Sequence, residues 1–495
     1  MKKIIMVFAI VFTFMCSGCA TAQQIHVVEK PNSFNSLKTQ TPVDTSNMIL
    51  VQGEAEGFLI RFFDKTPKKI KKIGTNVIPG INVDLFQVAF IPGTGKEKTG
   101  IPDPLIPIKD GFFDSSSGVS LIYIRVTTTH QTPPETYNLN IRIRNQNNNI
   151  LKKITQKIEV VDFKIPENSN ESLTLRTKLR AFDNDIKTKK ERAIEAINLL
   201  SKYRINSMAT SGFETQEELE EILFEMFDKN NYKYIAFPPR SVVGKKGYEK
   251  FIAGGDVAIS EHVKKEVQHL EKYPILQNYT GKISYQLADE PEYDKMEIVC
   301  KLYDQMKNAR PDLSLELTNL DYREPMPDSV DRWYLRTIAF PNKHEDYLYL
   351  RGLGTPEIGL YINDWQKIEK KINPMRMIGW VLWAKYLDAY LIYGVNAYGS
   401  IDPWKDKMLH TAQTGYSGMP VFVYLHPKTN EIIPSLRLEM FRDGIEDYEI
   451  LKKTELENPD KGEVFNALRD VVNNALKSNK GEIEDMKEIK TILLK

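Results

Sequence analysis

Two acidic side chains stand together at Asp289 and Glu290, in the run KISYQLADEPEYDKME from Lys282 to Glu297, with Pro291 directly after them. Ile283, Tyr285 and Leu287 alternate with Ser284 and Gln286, the period of a strand. Paired carboxylates can divide acid–base work: one gives or takes a proton while the other steadies developing positive charge. Successive strand residues point in different directions, so the two acids need not stack and can approach one small ligand from two sides. Pro291 is expected to push Glu290 toward extended backbone and to keep the following helix from starting earlier. A plainer role competes. Acids just ahead of a helix are favoured by its dipole by about 0.3–1 kcal/mol each, and Asp is a common cap.

Other chemistry finds little support. The seven histidines are scattered, HExxH is absent, and no CxxC lies beyond the N-terminal segment, so neither a metal nor a cofactor is expected. GTGKEKTG, Gly93 to Gly100, lacks the spacing of a phosphate loop and the Ser or Thr after Lys96, and reads as a surface turn. With 67 basic and 66 acidic residues the net charge is +1, which argues against nucleic acid as a partner. The 41% hydrophobic content argues against disorder, and 495 residues suggest two or three domains.

The elements that must position the pair follow from the patterning. Residues 1–18 read as a lipoprotein signal peptide: Lys2 and Lys3, an apolar run, then CSGC ending at Cys19 as the lipid acceptor. A plain secretory signal cut near Ala20 or Ala22 is the alternative. Lipidation of Cys19 would anchor the chain at the cell envelope by acyl chains, with no spanning helix. It would also leave Cys300, in a helical pattern, as a core residue with no partner for a disulfide. Residues 19–47 read as a tether. Residues 48–165 alternate with period two in LIYIRVTT, TYNLNIRIR and ITQKIEVVDF, the signature of an antiparallel β-sandwich. Over residues 172–430 strand and helix patterns alternate, with about eight strand candidates, as in a (β/α)8 TIM-type barrel. A doubly wound open sheet is the structural rival. Residues 431–495 read as helices packed on the barrel. The fold class is therefore a multidomain β plus α/β chain. In a barrel the strand C-termini carry the chemistry, and Asp289 and Glu290 end the fourth strand candidate.

Several runs together resemble glycoside hydrolase family 123 and its uncharacterised relatives. They are PDPLIP (Pro102 to Pro107), VVDFKIP (Val160 to Pro166), LADEP (Leu287 to Pro291), IGWVLWAKYLDAYLIYGVNAY, and PSLRLEMFRDGIEDYEIL (Pro434 to Leu451). The resemblance spans nearly the whole mature chain and implies a β-sandwich before a (β/α)8 barrel. It implies a β-N-acetylgalactosaminidase-like glycosidase that is retaining and uses the substrate's own 2-acetamido oxygen as nucleophile. Carried over, Glu290 is the general acid and then the base for water. Its carboxyl must hold a proton for the first role, which an adjacent anion and partial burial favour. Asp289 holds the acetamido N–H and stabilises the oxazolinium-like intermediate. A covalent carboxylate nucleophile would instead need a second acid, for which Asp321, Asp331 and Asp364 are candidates.

Sugars have apolar faces, so aromatic walls with a few polar groups are expected. Trp333, Tyr361, Tyr393, Asn396 and Trp404, with Trp365, lie near strand ends; each also has a core reading. Relatives usually carry a Trp where Gly394 stands, which puts substrate identity in doubt. The charged helix RDGIEDYE reads as docked on the barrel with satisfied charges, since Arg442 and Glu446 lie four apart, as do Asp443 and Asp447. A non-catalytic glycan-binding or envelope-assembly lipoprotein is the competing function. The expected partners are a glycan and, through the anchor, the membrane.

Overall fold

The computed structural model describes residues 25–28, 47–63, 71–92, 100–115, 119–180, 182, 186–209, 212–319, 327–336, 357–361, 373–397, 402–406, 421–477 and 486–494. Cys19 and the targeting segment lie outside the described residues, as do Asp321, Asp364 and Trp365. Among the described residues no helix is long and apolar enough to cross a membrane.

Ten strands come first: β1 (Ile25–Val28), β2 (Met48–Gln52), β3 (Ala55–Phe63), β4 (Lys71–Thr75), β5 (Ile81–Ile91), β6 (Ile101–Pro107), β7 (Phe112–Phe113), β8 (Val119–Thr128), β9 (Thr136–Arg144) and β10 (Ile150–Lys164). They form two sheets, β1-β3-β8-β5-β6 and β2-β10-β9-β4-β7. The pairings are antiparallel except that β2 lies parallel to β10. Between the sheets Phe58, Ile60 and Phe62 of β3 and Ile122, Ile124 and Val126 of β8 meet Leu139, Ile141 and Ile143 of β9. The alternate residues Leu59, Leu121 and Tyr123 are buried in the larger core on the barrel side. The first sheet is thus covered on both faces, which explains why LIYIRV is apolar with so little alternation.

The next eight strands close into a parallel barrel: β11 (Thr174–Lys178), β12 (Ser207–Ala209), β13 (Tyr234–Phe237), β14 (Ile283–Asp289), β15 (Ser314–Asn319), β16 (Arg332–Arg336), β17 (Glu357–Tyr361) and β18 (Ala389–Leu391). β18 pairs with β11 to complete the ring. The helices between them include α1 (Lys189–Leu200), α2 (Gln216–Phe224), α3 (Lys245–Glu271), α4 (Met296–Ala309) and α5 (Asn373–Ala384). α1 and α2 each start at a capping box, Thr188 with Glu191 and Thr215 with Glu218. A closed barrel, rather than an open sheet, carries the site. A hairpin that the sequence reading does not anticipate, β19 (Val423–Leu425) with β20 (Ile432–Pro434), precedes the C-terminal helices α6 (Leu436–Glu457), α7 (Gly462–Lys477) and α8 (Met486–Leu493).

Barrel interiors are usually filled by branched apolar side chains. This one is polar. Arg332 lies fully buried between Glu316 (3.3 Å) and Glu357, and its guanidinium stands 4.1 Å from the ring centre of Tyr234. Arg176 pairs with Glu316 at 2.7 Å, and Lys233 with Glu357 at 2.6 Å. Burial opposes charge on Glu357, but Arg332 and Lys233 outweigh it and hold that carboxyl below its ordinary value.

α6 is a wedge between sandwich and barrel. From Leu436 to Leu451 every residue is buried, charged ones included. It crosses α5 so closely that a Cβ on Gly379 would stand 1.6 Å from Gly444 O.

Candidate active site

β14 points Ile283, Tyr285 and Leu287 into the core outside the barrel and Ser284 inward, where it accepts a hydrogen bond from Arg332 Nη1 at 3.3 Å. Near its end the parity changes. Gln286 pairs with Glu316, but the next paired residue is Asp289, opposite Thr318: three steps on β14 for two on β15. Such a bulge re-aims a side chain. It turns Asp289 toward the barrel mouth, where Thr318 Oγ1 donates to Asp289 Oδ1 and Gln286 Nε2 donates to the same oxygen at 3.3 Å. Gln286 is itself held, donating to Thr318 Oγ1 at 2.9 Å and accepting from Arg176 Nη1 at 3.1 Å.

Glu290 departs from the extended backbone expected before proline. Its φ is +43°, the left-handed region, and its N–H donates to Thr318 O at 3.1 Å. The chain therefore turns sharply at the residue that carries the acid. Its carboxylate accepts from Tyr361 Oη, which reaches over from the end of β17, three strands around the barrel. Burial, the hydrogen bond to Glu290 and that carboxylate's charge push the Tyr361 phenol well above its ordinary value. Tyr361 is thus a permanent donor. Both acids are themselves exposed to solvent. Left-handed backbone at a non-glycine residue costs on the order of 1–3 kcal/mol and concentrates at functional positions.

The mouth also holds cations. Partial desolvation pulls the Lys178 ammonium at the end of β11 below its ordinary value, Arg180 and Arg176 add to this, and Asp289 pulls it back. Arg180 lies over the ring of Tyr393 at 4.7 Å.

The other expected residues separate. Tyr393 is 42% exposed at the rim. Asn396 is buried, and its amide clasps the backbone of Arg180, accepting from Arg180 N and donating to Arg180 O, each at 2.8 Å. It fixes the loop after β11, and at 2% exposure it is closed to a sugar. Trp333 is 1% exposed and packs outside the barrel with Leu317 and Leu335. Trp404 donates its Nε1–H to Leu425 O at 2.8 Å and packs against Tyr424. Asp331 precedes β16, at the barrel end opposite the mouth, where it accepts from Lys307 (2.6 Å) and Leu315 N (2.7 Å). Gly394 lies against β11, and a Cβ there would stand 3.3 Å from Lys178 O. A large ring at 394 would need that strand to move. Thr318, Gln286, Arg176 and Lys178 belong to the site and escaped sequence reasoning. Their one signal is the polar alternation on inward positions, as in TLRTK and SLELTN.

Among the described residues no cluster of three or more His, Cys, Asp and Glu side chains is placed to hold a metal. The described part of the mouth presents two acids with separate donors.

Comparisons with known proteins bear on the fold that carries this site. Residues 231–454 match the family described as glycoside hydrolase 123, catalytic domain. A family 123 glycoside hydrolase from Clostridium perfringens, solved in a study of glycolipid glycan hydrolysis, shares the fold with a TM-score of 0.68. It is 11% identical, and the match covers 91% of each chain. A β-D-glucuronidase of Dictyoglomus thermophilum matches at 9% identity and a TM-score of 0.37, over 87% of this chain and 98% of that one. Among curated proteins there is no match. The matched segment holds β14 with both acids, the later barrel strands and most of α6, and over it the chain is similar to the glycoside hydrolase 123 catalytic domain.

Proposed function

We propose that the chain hydrolyses β-linked N-acetylhexosaminides, N-acetylgalactosamine first among them, with retention and with help from the substrate's own acetamido group. One observation carries this reading. Asp289 and Glu290 are consecutive, yet separate hydroxyl donors on different strands, Thr318 and Tyr361, hold them in the same barrel mouth. Protonated Glu290 gives its proton to the glycosidic oxygen as that bond breaks. The acetamido carbonyl oxygen attacks the anomeric carbon and forms an oxazolinium-like ring. Asp289 accepts the acetamido N–H and stabilises the positive charge. Glu290, now a carboxylate, takes a proton from the water that opens the ring. A second, separately placed nucleophile is not needed, and Asp331 at the far end of the barrel does not supply one. The glycolipid glycan named for the Clostridium perfringens protein supports a glycan as the substrate class.

The test uses chromogenic β-N-acetylgalactosaminide and β-N-acetylglucosaminide with the chain from residue 20 onward, beside Glu290→Gln and Asp289→Asn. Expected is release by the wild type and a loss of about 10²–10⁴-fold in each variant. Release undiminished in both variants overturns the site. Tight glycan binding without turnover, equal in wild type and Glu290→Gln, would assign a binding protein instead. We also propose lipid anchoring through Cys19 at the cell envelope, on the strength of the CSGC run. Metabolic labelling with a fatty-acid analogue, lost in Cys19→Ala, tests it.

A further inference from the structure

A cavity of about 550 Å3 opens beside the strand end that carries Asp289. Val243 lines it, donates its N–H to Leu287 O at 2.8 Å and bridges Ala288, the residue before Asp289. The cavity is made by a break in α3. Gly255, with φ +57° and ψ −151°, folds the helix into two limbs. Lys250 and Phe251 on the first limb, His262 and Lys265 on the second, and Arg240 in the loop after β13 line one space. Phe251 meets the His262 ring edge to face, with 5.4 Å between centroids.

The charge in this space is unbalanced. Among the described residues Arg240, Lys250 and Lys265 make no ion pair. The one acid at hand, Glu266, is fully buried and already engaged. It accepts from Arg240 N at 2.8 Å, Tyr285 Oη at 2.7 Å and Ser241 Oγ at 3.5 Å. His262 Nε2 lies 3.7 Å from it, and that nitrogen is buried without a hydrogen-bond partner. Burial pulls the His262 imidazole below its ordinary value; Glu266 resists, and Arg240, Lys250 and Lys265 add to the pull. Three cations and an unmet imidazole nitrogen make a site short of negative charge. The uncapped first turn of α3, Gly244 to Gly247, adds the positive end of a helix dipole to the same wall. The volume falls in the range of small-molecule sites and exceeds what a bare ion fills. Val242, 46% exposed, and the buried Phe251 give the cavity an apolar wall of the kind sugars pack against.

We propose that this cavity binds an anionic sugar, one carrying a sulfate, phosphate or carboxylate group, as part of the glycan that the enzyme takes. The glycan part rests on the glycoside hydrolase assignment; the anion part rests on the cavity alone. The test is therefore direct binding, not turnover. The full chain is titrated calorimetrically, at constant ionic strength, with 6-O-sulfo-N-acetylglucosamine, neutral N-acetylglucosamine and sodium sulfate. The sulfated sugar is expected to bind at least about tenfold tighter than either of the others, because only it engages both the cations and the apolar wall. Lys250→Glu and Lys265→Glu should each weaken it about tenfold. Lys153→Glu, on the exposed side of β10 in the sandwich, should not. Both cavity lysines are exposed, so ligand-free melting temperatures check that folding is intact. A variant that melts early is replaced by Gln at the same position. Sulfated and neutral sugar binding alike, or sulfated-sugar affinity unmoved by both lysine substitutions, overturns the proposal. Free sulfate binding as tightly as the sulfated sugar overturns its assignment to a glycan.

Discussion

Asp289 and Glu290 are neighbours in sequence but answer to different walls of the barrel, and this separation should be visible in kinetics. Removing the Tyr361 hydroxyl leaves Glu290 without the donor that orients it. Tyr361→Phe is expected to lower kcat about tenfold while KM changes little, because the lost bond positions the acid and not the sugar. Gln286→Leu should weaken both constants for substrates with an acetamido group. It breaks the chain from Arg176 through Gln286 to Asp289, and a rate loss confined to 2-acetamido sugars would separate this from general damage. Equal losses on sugars with and without that group would count against Asp289 as the acetamido partner. The acid pair was legible in the sequence, since DE before P at the end of an alternating run is a local pattern. Its donors were not. A bulge that flips the parity of one residue, and a tyrosine reaching over from three strands away, leave no mark in local spacing. Trp333 shows the same limit from the other side. In RWYLR every residue is bulky, so the alternation that points Trp333 out of the barrel and Tyr334 into it cannot be read. Asn396 looked like a sugar ligand because amides are good ones, and its two bonds to Arg180 depend on a loop meeting that only the fold brings about.

At the scale of elements, the eight barrel strands were legible because each is a short alternating or apolar run bounded by turn residues. Two pieces were not. β19 and β20 have three residues each, too few for a period to register, and the first limb of α3 holds glycines at 247, 254 and 255 that argue against a helix. α6 is subtler. Its four-residue charge spacings read as a helix docked on the barrel with satisfied charges, and it is docked, but both faces are buried and many of the partners lie on other elements. Glu439 accepts from Tyr123 and Arg125 of the sandwich and from Tyr203 beside the barrel, and Asp447 binds Arg376 and Trp380 of α5. Close approach to α5 is possible only because both helices carry glycine at the crossing. A methyl at Gly444 would stand 2.3 Å from Arg376 O, which backbone cannot yield cheaply. Gly444→Ala and Gly379→Ala are each expected to cost at least about 3 kcal/mol in urea unfolding. Ala at the exposed Gly462, where a Cβ meets nothing within 4 Å, should be close to neutral. Comparable losses at all three positions would mean that the crossing is not what these glycines serve.

Over the whole molecule, sandwich, barrel and C-terminal helices are joined by buried charges rather than by a flexible hinge. Asp103 on β6 holds Arg437 of α6, Glu446 of α6 reaches Ala55 N and Arg204, Glu56 binds Arg376, and Glu54 beside β2 holds Lys490 of α8. The runs PDPLIP and SLRLEMFRDGIEDYE, far apart in the chain, are therefore two sides of one interface. Their charges serve assembly and lie apart from the barrel mouth. Burying so many charges has a consequence for pH. Burial raises Glu54 from 4.5 to about 7, Lys490 opposes the rise, and Glu446 and Glu56 reinforce it. A carboxyl raised in the folded state contributes stability that is complete below its ordinary value and disappears as pH climbs through about 7, because the native state then gives up a proton that it held more tightly than the unfolded chain. Lys490 is raised as well; burial lowers it, but Glu54, Asp447 and Glu56 together outweigh that, so its own contribution persists to alkaline pH and does not enter this window. Urea unfolding at steps between pH 5 and pH 8 should show the wild type losing on the order of 2–3 kcal/mol from Glu54 over that range. Glu54→Gln cannot titrate and should lose less by that amount, so the stability difference shifts by that amount in favour of Glu54→Gln as pH rises. Parallel curves for wild type and Glu54→Gln would mean that the Lys490 pair, rather than burial, governs Glu54, and that the interface holds its carboxylates charged throughout.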